Sequence, residues 1–158
     1  SEFKHLGEGV VIEPGVRVVH PENISIGDGV YIGYDTILMG YHNNTMEIGD
    51  GTWIGQGCWF HSAGGIKIGE QIGIGAGVKI ITSSHRLDQL DRSILYSDVE
   101  FKEVVIEDWS DLGVGSVIRP GVTVGKGAQI GIGAIVTKDI PPYEIWVGNP
   151  AKFLRKRE

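Results

Sequence analysis

The chain has 158 residues, with 14 Lys and Arg against 20 Asp and Glu, and a formal net charge of −6. This acidic balance argues against a nucleic-acid-binding protein, and the single cysteine, Cys58, excludes an internal disulfide and any cysteine-based zinc cluster. No apolar run approaches the roughly 20 residues of a membrane span and no signal peptide is recognisable, so we predict one domain in a reducing cytoplasm.

Glycine is the unusual component, with 25 positions out of 158, about twice its usual share of roughly 7%. Collagen would require glycine at every third position and abundant proline, but only 6 prolines are present. Flexible low-complexity sequence would lack the aliphatic residues that accompany these glycines. The glycines are therefore read as parts of an internal repeat.

A lead-in of residues 1–11 precedes the repeat, and its first three residues resemble a cloning remnant, so they are assigned no function. From Ile12 to Val136 an aliphatic or aromatic residue recurs every six positions, usually followed by glycine or another small or acidic residue. The repeated positions are Ile12, Val18, Ile24, Ile26, Ile32, Leu38, Ile48, Ile54, Phe60, Ile68, Ile74, Ile80, Ile106, Leu112, Ile118, Val124, Ile130 and Val136.

Each six-residue unit has the pattern of a very short strand followed by a turn. Side chains alternate between faces along a strand, so the aliphatic residue and the small or branched residue two before it point the same way. One unit is too small to bury a face, whereas stacked coils of three units would enclose a continuous core. An ordinary β-sandwich would show strands every 8–12 residues. We predict an all-β solenoid over residues 12–140.

Several insertions interrupt the period. Short ones lie near residues 23–25 and 65–67, and an excursion at 40–47 contains Tyr41 and His42. The largest is a mostly polar loop at about 83–103, and a loop of this length is more often functional than accidental. After Val136 the repeat ends, and Asn149-Pro150 predicts a short basic helix over residues 151–157 in a C-terminal cap segment, residues 141–158.

Four segments are similar to a known C-terminal signature: VIED at 105–108, IRPGVTVG at 118–125, GAIVTKDIP at 133–141 and VGNPAK at 147–152. They resemble hexapeptide-repeat acetyltransferases, nearest the maltose and galactoside O-acetyltransferases and the O-acetyltransferases of polysaccharide biosynthesis. The segment ITSSHRLD at 81–88 resembles the catalytic-histidine segment of that branch. The resemblance implies a left-handed parallel β-helix, a homotrimer with active sites between subunits, acetyl-CoA as co-substrate and no metal.

The chemistry of acetyl transfer requires a base, and histidine is suited to that role because its usual pKa is about 6.5. His85 matches the family base at the start of the long loop and is predicted to act as the general base in direct transfer to a sugar hydroxyl. Its imidazole needs an orienting acceptor, for which Asp88, Glu100, Glu103 and a backbone carbonyl remain open. Cys58 falls at an inward repeat position and is read as a core residue, which argues against an acyl-enzyme.

The resemblance also implies a donor site along the last coils. Gly133 and Ala134 would line the pantetheine arm of CoA, with Thr137 and Lys138 close by. Arg155 and Lys152, in the local basic cluster of the C-terminal segment, would face the nucleotide phosphates.

The acceptor site is less well defined by the sequence, and Gln56, His61 and Asp88 are its candidates. His42 is a further possibility through a loop that reaches the neighbouring subunit, whereas His5 and His20 are read as surface residues. Gln56 falls where the sugar acetyltransferases commonly have an asparagine. Asp111 stands where the family has tryptophan, and Trp109 lies two residues earlier. The outward positions of Trp53 and Trp59 predict a partner surface.

Two alternatives stay open, and a third is disfavoured by the sequence. N-acetylation of an amino sugar or nucleotide-sugar would use the same base, and only the acceptor pocket would differ. A catalytically silent β-helix scaffold would need neither His85 nor the donor segments. A γ-type carbonic anhydrase on the same fold would need three zinc-binding histidines, but no histidine follows His85.

Overall fold

The computed structural model describes residues 2–158, which form a parallel solenoid with three faces. Each coil contributes one strand to each face, which we name sheets A, B and C. Sheet A consists of β1 His5–Leu6, β4 Ile24–Ile26, β7 Met46–Ile48, β10 Ile66–Ile68, β15 Val104–Ile106 and β18 Thr123–Val124. Sheet C consists of β3 Arg17–Val19, β6 Ile37–Met39, β9 Trp59–His61, β12 Lys79–Ile81, β17 Val117–Ile118 and β20 Ile135–Val136.

Sheet B continues past the last complete coil. Its strands are β2 Val11–Ile12, β5 Tyr31–Ile32, β8 Trp53–Ile54, β11 Gly73–Ile74, β16 Asp111–Leu112, β19 Gln129–Ile130, β21 Glu144–Val147 and β22 Lys152–Lys156. All ladders between coils are parallel, and only β21 and β22 pair antiparallel in this sheet. The predicted solenoid is confirmed, and its architecture is consistent with the left-handed form that the resemblance implies.

The core follows the six-residue period. Every repeated position from Ile24 to Val136 is buried, and so are the residues two positions earlier that share its face: Val30, Thr52, Cys58, Ile72, Val78, Ser116, Val122, Ala128 and Ala134. Polar members bond to the neighbouring coil, since the Thr52 hydroxyl donates to the Gly69 carbonyl over 2.9 Å. The first coil is different: Ile12 is 40% exposed because sheet B ends there, with β5 as the only strand against β2.

The long loop is an ordered arm and not an irregular excursion. Strand β13 (Ser83–His85) pairs antiparallel with β14 (Val99–Phe101), and a 3₁₀ turn at Ile94–Tyr96 shapes the connection. We call residues 83–101 the arm. The other 3₁₀ turn, Pro21–Asn23, lies between the first two coils, where the sequence predicted an insertion.

The predicted C-terminal helix over residues 151–157 is wrong. Residues Lys152–Lys156 form strand β22, which runs antiparallel along β21 with a register shift between Ile145 and Trp146. Strand β21 is the last strand of the solenoid on sheet B, and its outer edge would otherwise present unpaired backbone groups. Pairing along this edge outweighs the helix propensity of the lysines, arginine and leucine in the segment.

Candidate active site

His85 lies at the end of β13, where the arm leaves the solenoid. Its half-buried imidazole has Nδ1 3.2 Å from the carbonyl oxygen of Ser97, a residue that is 6% exposed. A carbonyl oxygen only accepts hydrogen bonds, so this contact places the proton on Nδ1. The lone pair of Nε2 is then free to take a proton from a substrate, as a general base requires.

The Ser97 side chain supports the same contact. Its hydroxyl donates to the Ile94 carbonyl over 2.6 Å and lies 3.5 Å from His85 Nδ1. The backbone N–H of Ser97 also donates to the Ile94 carbonyl, over 3.1 Å. The 3₁₀ turn of the arm therefore fixes the carbonyl that orients His85, and Ser97 is a site residue that the sequence did not reveal.

The acidic candidates for orienting His85 have other partners. Asp88 forms a two-point ion pair with Arg86, at 2.9 and 2.6 Å, and this hydrogen bonding lowers the pKa of Asp88. Glu103 lies 4.0 Å from Lys67, and Glu100 is exposed on β14. Of the open alternatives, the structure places a backbone carbonyl at the imidazole.

His61 lies beside the strand that leads to His85. It pairs in register with Ile81, and the Thr82 hydroxyl donates to its carbonyl over 2.7 Å while accepting from the Gly64 N–H over 2.8 Å. Burial lowers the pKa of the His61 imidazole, so the ring is neutral at neutral pH. Its Nδ1 is buried without a hydrogen-bond partner.

A cavity of about 310 Å³ lies between the end of β20 and the C-terminal hairpin. It brings together three of the predicted donor residues, Thr137, Lys138 and Lys152. Its other lining residues are Trp146, Pro150, Ala151 and Phe153. Sequence analysis missed Trp146 and Phe153, because these side chains reach the cavity only through the strand pairing of β21 with β22.

The remaining donor candidates lie outside this cavity. Gly133 is exposed in a turn with φ of 69°. Ala134 is fully buried in the core; its N–H donates to the Gly131 carbonyl over 3.2 Å and its carbonyl accepts from the Val117 N–H over 2.9 Å. Arg155 is exposed on β22, and its guanidinium donates to the Lys156 carbonyl over 3.2 Å.

Six of the predicted site residues lie at two corners of the solenoid. Gln56, Gly133 and Ala134 lie in turns that lead from sheet B to sheet C, which we call the B–C corner. His85, Thr137 and Lys138 follow strands of sheet C, which we call the C–A corner. One face of the solenoid therefore separates the two groups within a single chain.

Other predicted positions are found as follows. Cys58 is buried in the core, its thiol donates to the Gly75 carbonyl, and burial raises its pKa. Trp53 is 51% exposed and stacks on Tyr31, with ring centroids 5.2 Å apart, whereas Trp59 is half-buried. Asp111 is exposed on β16 and accepts from the Gln129 amide over 3.3 Å. The exposed ring of Trp109 is covered by the Lys126 ammonium at 3.9 Å.

Neither a metal-binding cluster nor a membrane-spanning helix is present in the described part of the chain. No three His, Cys, Asp or Glu side chains among residues 2–158 are grouped so that they could hold a metal ion. Within the same residues, no helix is long and apolar enough to cross a membrane.

The sequence matches a family model described as the hexapeptide repeat of succinyl-transferase, over residues 46–82 and 103–138. A protein of Schizosaccharomyces pombe assigned as an acetyltransferase is 43% identical over 102 residues, which cover 64% of this chain and 48% of the relative. A galactoside O-acetyltransferase of Lactococcus lactis is 30% identical over 157 residues, covering 98% of this chain and 63% of the relative. The chain spans about half the length of the curated relatives it matches.

Solved structures share the fold along almost the whole chain. A hexapeptide-repeat acetyltransferase of Vibrio cholerae in complex with acetyl coenzyme A superposes with a TM-score of 0.75 at 27% identity, covering 99% of this chain and 73% of that one. An N-acyltransferase of Bacillus cereus superposes with a TM-score of 0.89 at 22% identity, covering 99% and 85%, a likeness of fold alone. The matched repeat model, the sheets and these relatives together show that the chain consists of hexapeptide repeats and is similar along almost its whole length to hexapeptide-repeat acetyltransferases.

Proposed function

We propose that the protein is an acetyl-CoA-dependent O-acetyltransferase that acts on a hydroxyl of a sugar or glycan precursor, with His85 as general base. The observation that carries this proposal is the contact between His85 Nδ1 and the Ser97 carbonyl. With the proton on Nδ1, Nε2 is left as a base at the point where the arm leaves the solenoid. The galactoside acetyltransferase relative supports the choice of a sugar hydroxyl.

The reaction requires one proton to move twice. As the acceptor oxygen forms its bond to the acetyl carbon, His85 Nε2 takes the hydroxyl proton, and the carbonyl of Ser97 stabilises the resulting imidazolium through Nδ1–H. When the carbon–sulfur bond breaks, the same proton passes from Nε2 to the leaving thiolate. General-base help of this kind contributes about 10²- to 10⁴-fold to the rate, and no covalent acyl-enzyme is needed.

The cavity beside the hairpin is the proposed end of the donor site. Lys138 and Lys152 supply positive charge at its rim, while Trp146 and Phe153 supply apolar surface. This combination suits a long, partly apolar arm that ends in phosphates. Thr137 lines the same cavity, and Arg155 of the adjacent strand and the B–C corner residues Gly133 and Ala134 complete the proposed set.

The division of these residues between two corners supports active sites between subunits of a homotrimer. In a cyclic trimer the B–C corner of one subunit can face the C–A corner of the next, which would unite the two groups. The arm supports this arrangement because it presents a row of large exposed apolar side chains, and such surface is typical of an interface. They are Leu87, Leu90, Ile94, Leu95 and Tyr96.

The acceptor set in this proposal contains His61, with Gln56 and Asp88 as further candidates. His61 is the best supported of the three because it pairs in register with Ile81 of β12, the strand that leads to His85. Gln56 belongs to the B–C corner and would come from the neighbouring subunit. Asp88 is engaged by Arg86 on the exposed arm. A cytoplasmic location, where acetyl-CoA is made available to biosynthetic enzymes, is part of the proposal.

The test is thiol release from acetyl-CoA with a panel of sugars, amino sugars and nucleotide-sugars. His85→Ala should lower kcat by at least about 10²-fold, while its oligomeric state and far-UV spectrum stay unchanged. His5→Ala, in the exposed first strand, is the matched control. Near-normal turnover by folded His85→Ala would overturn the proposal, and turnover restricted to amino groups would replace O-acetylation by N-acetylation.

A further inference from the structure

Five aromatic rings form a row on the outer surface of sheet C, and one of them, His61, pairs in register with Ile81 of β12, the strand that leads to His85. Neighbouring ring centroids are 4.7 to 6.4 Å apart along the row. The members, in spatial order, are Trp59, His61, Tyr41, His42 and His20. We call this set the ring row.

Two strands and one excursion build the ring row. Trp59 and His61 are the outward residues of β9, on either side of the buried Phe60. The excursion at residues 40–45 folds over the same face and adds Tyr41 and His42. It is fixed by the Asn23 side-chain amide, which donates to the Tyr41 carbonyl over 2.6 Å, and by the Asn44 amide, which donates to the Ala63 carbonyl over 2.7 Å. The phase slip in the repeat therefore produces a defined surface.

The proton of His61 is located by what surrounds its ring. Nδ1 is buried and has no hydrogen-bond partner. A buried N–H without an acceptor is rarer in proteins than a buried acceptor without a donor, so Nδ1 carries the lone pair and Nε2 carries the hydrogen. His61 thus offers one N–H donor to a ligand within a surface that is otherwise aromatic.

The charge of the ring row favours a neutral ligand. None of its five members is Lys or Arg, and the carboxylate of Glu22 accepts from His20 Nδ1 over 2.8 Å. Lys79, which pairs in register with Trp59, donates its ammonium to the Gly77 carbonyl over 3.3 Å. A diphosphate would require free cations here, whereas the apolar faces of sugar rings pack on aromatic side chains and their hydroxyls bond to donors at the ring edges.

We propose that the ring row binds the acceptor beyond the sugar that is acetylated, so that the preferred acceptor is an oligosaccharide with at least two neutral rings. This rests on the proposed function for the position of the reacting sugar. A sugar ring is about as wide as one aromatic side chain, and the row contains five. His61 Nε2–H is assigned as the donor to the sugar nearest the reacting one, and Tyr41 as the central stacking surface.

The experiment separates binding from turnover. Quenching of tryptophan fluorescence on adding glucose, maltose, maltotriose, galactose or lactose is followed without acetyl-CoA, for the wild type, Tyr41→Ala and Tyr34→Ala. Tyr34 is a matched control because it is an exposed tyrosine in the turn between β5 and β6, outside the row. We expect at least one di- or trisaccharide to bind at least tenfold more tightly than its monosaccharide, and Tyr41→Ala alone to lose that gain.

Three results would overturn the proposal. One is that longer sugars show no gain over the monosaccharides, and another is that Tyr41→Ala binds as tightly as Tyr34→Ala. The third is that Tyr41→Ala changes the oligomeric state in sedimentation, which would make the row an interface between copies. Because binding is measured without acetyl-CoA, a failure of the proposed acetyl transfer appears separately, as absent thiol release with the sugar that binds.

Discussion

His85 and Ser97 lie on opposite sides of the arm, and the imidazole Nδ1 of one is 3.2 Å from the backbone carbonyl of the other. The antiparallel pairing of His85 with Val99 brings them together across twelve residues of sequence. Orientation of the proposed base therefore depends on backbone geometry, while Asp88 and Asp98 of the arm are bonded to Arg86 and Gln89.

Replacing Ser97 by alanine should have a small effect on catalysis. The variant loses the 2.6 Å hydrogen bond from the hydroxyl to the Ile94 carbonyl but keeps the backbone carbonyl that holds the His85 tautomer. We expect kcat to fall by less than about tenfold, far less than in His85→Ala, because a single neutral hydrogen bond contributes about 1 kcal/mol. Steady-state kinetics of both variants checks this, and equal losses would mean that the hydroxyl itself acts on the imidazole.

The coil was predictable from the sequence because its cause is local and repeated. Alternation along a strand places Ile54 and Thr52 on one face, and the period of six brings the next coil into register above them, so burial at both positions followed directly. The exposed Ile12 shows the limit of this reasoning, since a repeat position at the end of a stack has a neighbour on one side only.

The parts that sequence analysis missed depend on contacts between distant segments. The segment 151–157 has good helix formers, but whether it becomes helix or strand was decided by the free edge of β21. The Ser97 carbonyl could not be chosen over Asp88, because backbone acceptors carry no residue-specific signal. The ring row was hidden for the same reason: His20, Tyr41 and His61 meet only after the coils are stacked.

Close contact between coils predicts that Gly113→Ala destabilises the fold. A Cβ at Gly113 would lie 2.6 Å from the Ile130 carbonyl oxygen and 2.7 Å from the backbone nitrogen of Ile132 in the next coil, and backbone atoms there cannot move aside. We expect the free energy of unfolding to fall by at least about 2 kcal/mol, measured by urea denaturation. Gly29→Asn is the control, because a Cβ at Gly29 would meet no atom within 4 Å and asparagine tolerates the φ of 65° at this position. A comparable loss of stability in Gly29→Asn would contradict the steric cause.

Burial of His61 predicts a pH-dependent stability. Its folded-state pKa is lowered from 6.5, so below that value the unfolded chain binds a proton that the folded chain does not. The stabilising effect is present above the unfolded pKa and is lost as the pH falls toward the folded one. Urea unfolding at about pH 7.5 and about pH 5.5 should show a smaller loss for His61→Gln than for the wild type. His5→Gln, at an exposed position, is the control and should lose as much stability as the wild type between the two pH values. If His61→Gln also loses as much, burial of His61 is not the origin of the pH dependence.

The two corners predict that inactive variants complement each other. Gly133 lies in an exposed turn with φ of 69°, and a Cβ there would meet no atom within 4 Å. Gly133→Asp should therefore fold, because aspartate tolerates this conformation. Its carboxylate should raise the KM for acetyl-CoA at least tenfold. His85→Ala loses the base instead. If each site joins His85 of one subunit to Gly133 of the next, randomly mixed trimers regain about a quarter of their intact sites. Turnover of differently tagged, co-expressed subunits measures this, with Gly29→Asp as a folding control on the third corner. If mixed trimers are no more active than trimers of either variant alone, His85 and Gly133 of one site belong to the same subunit.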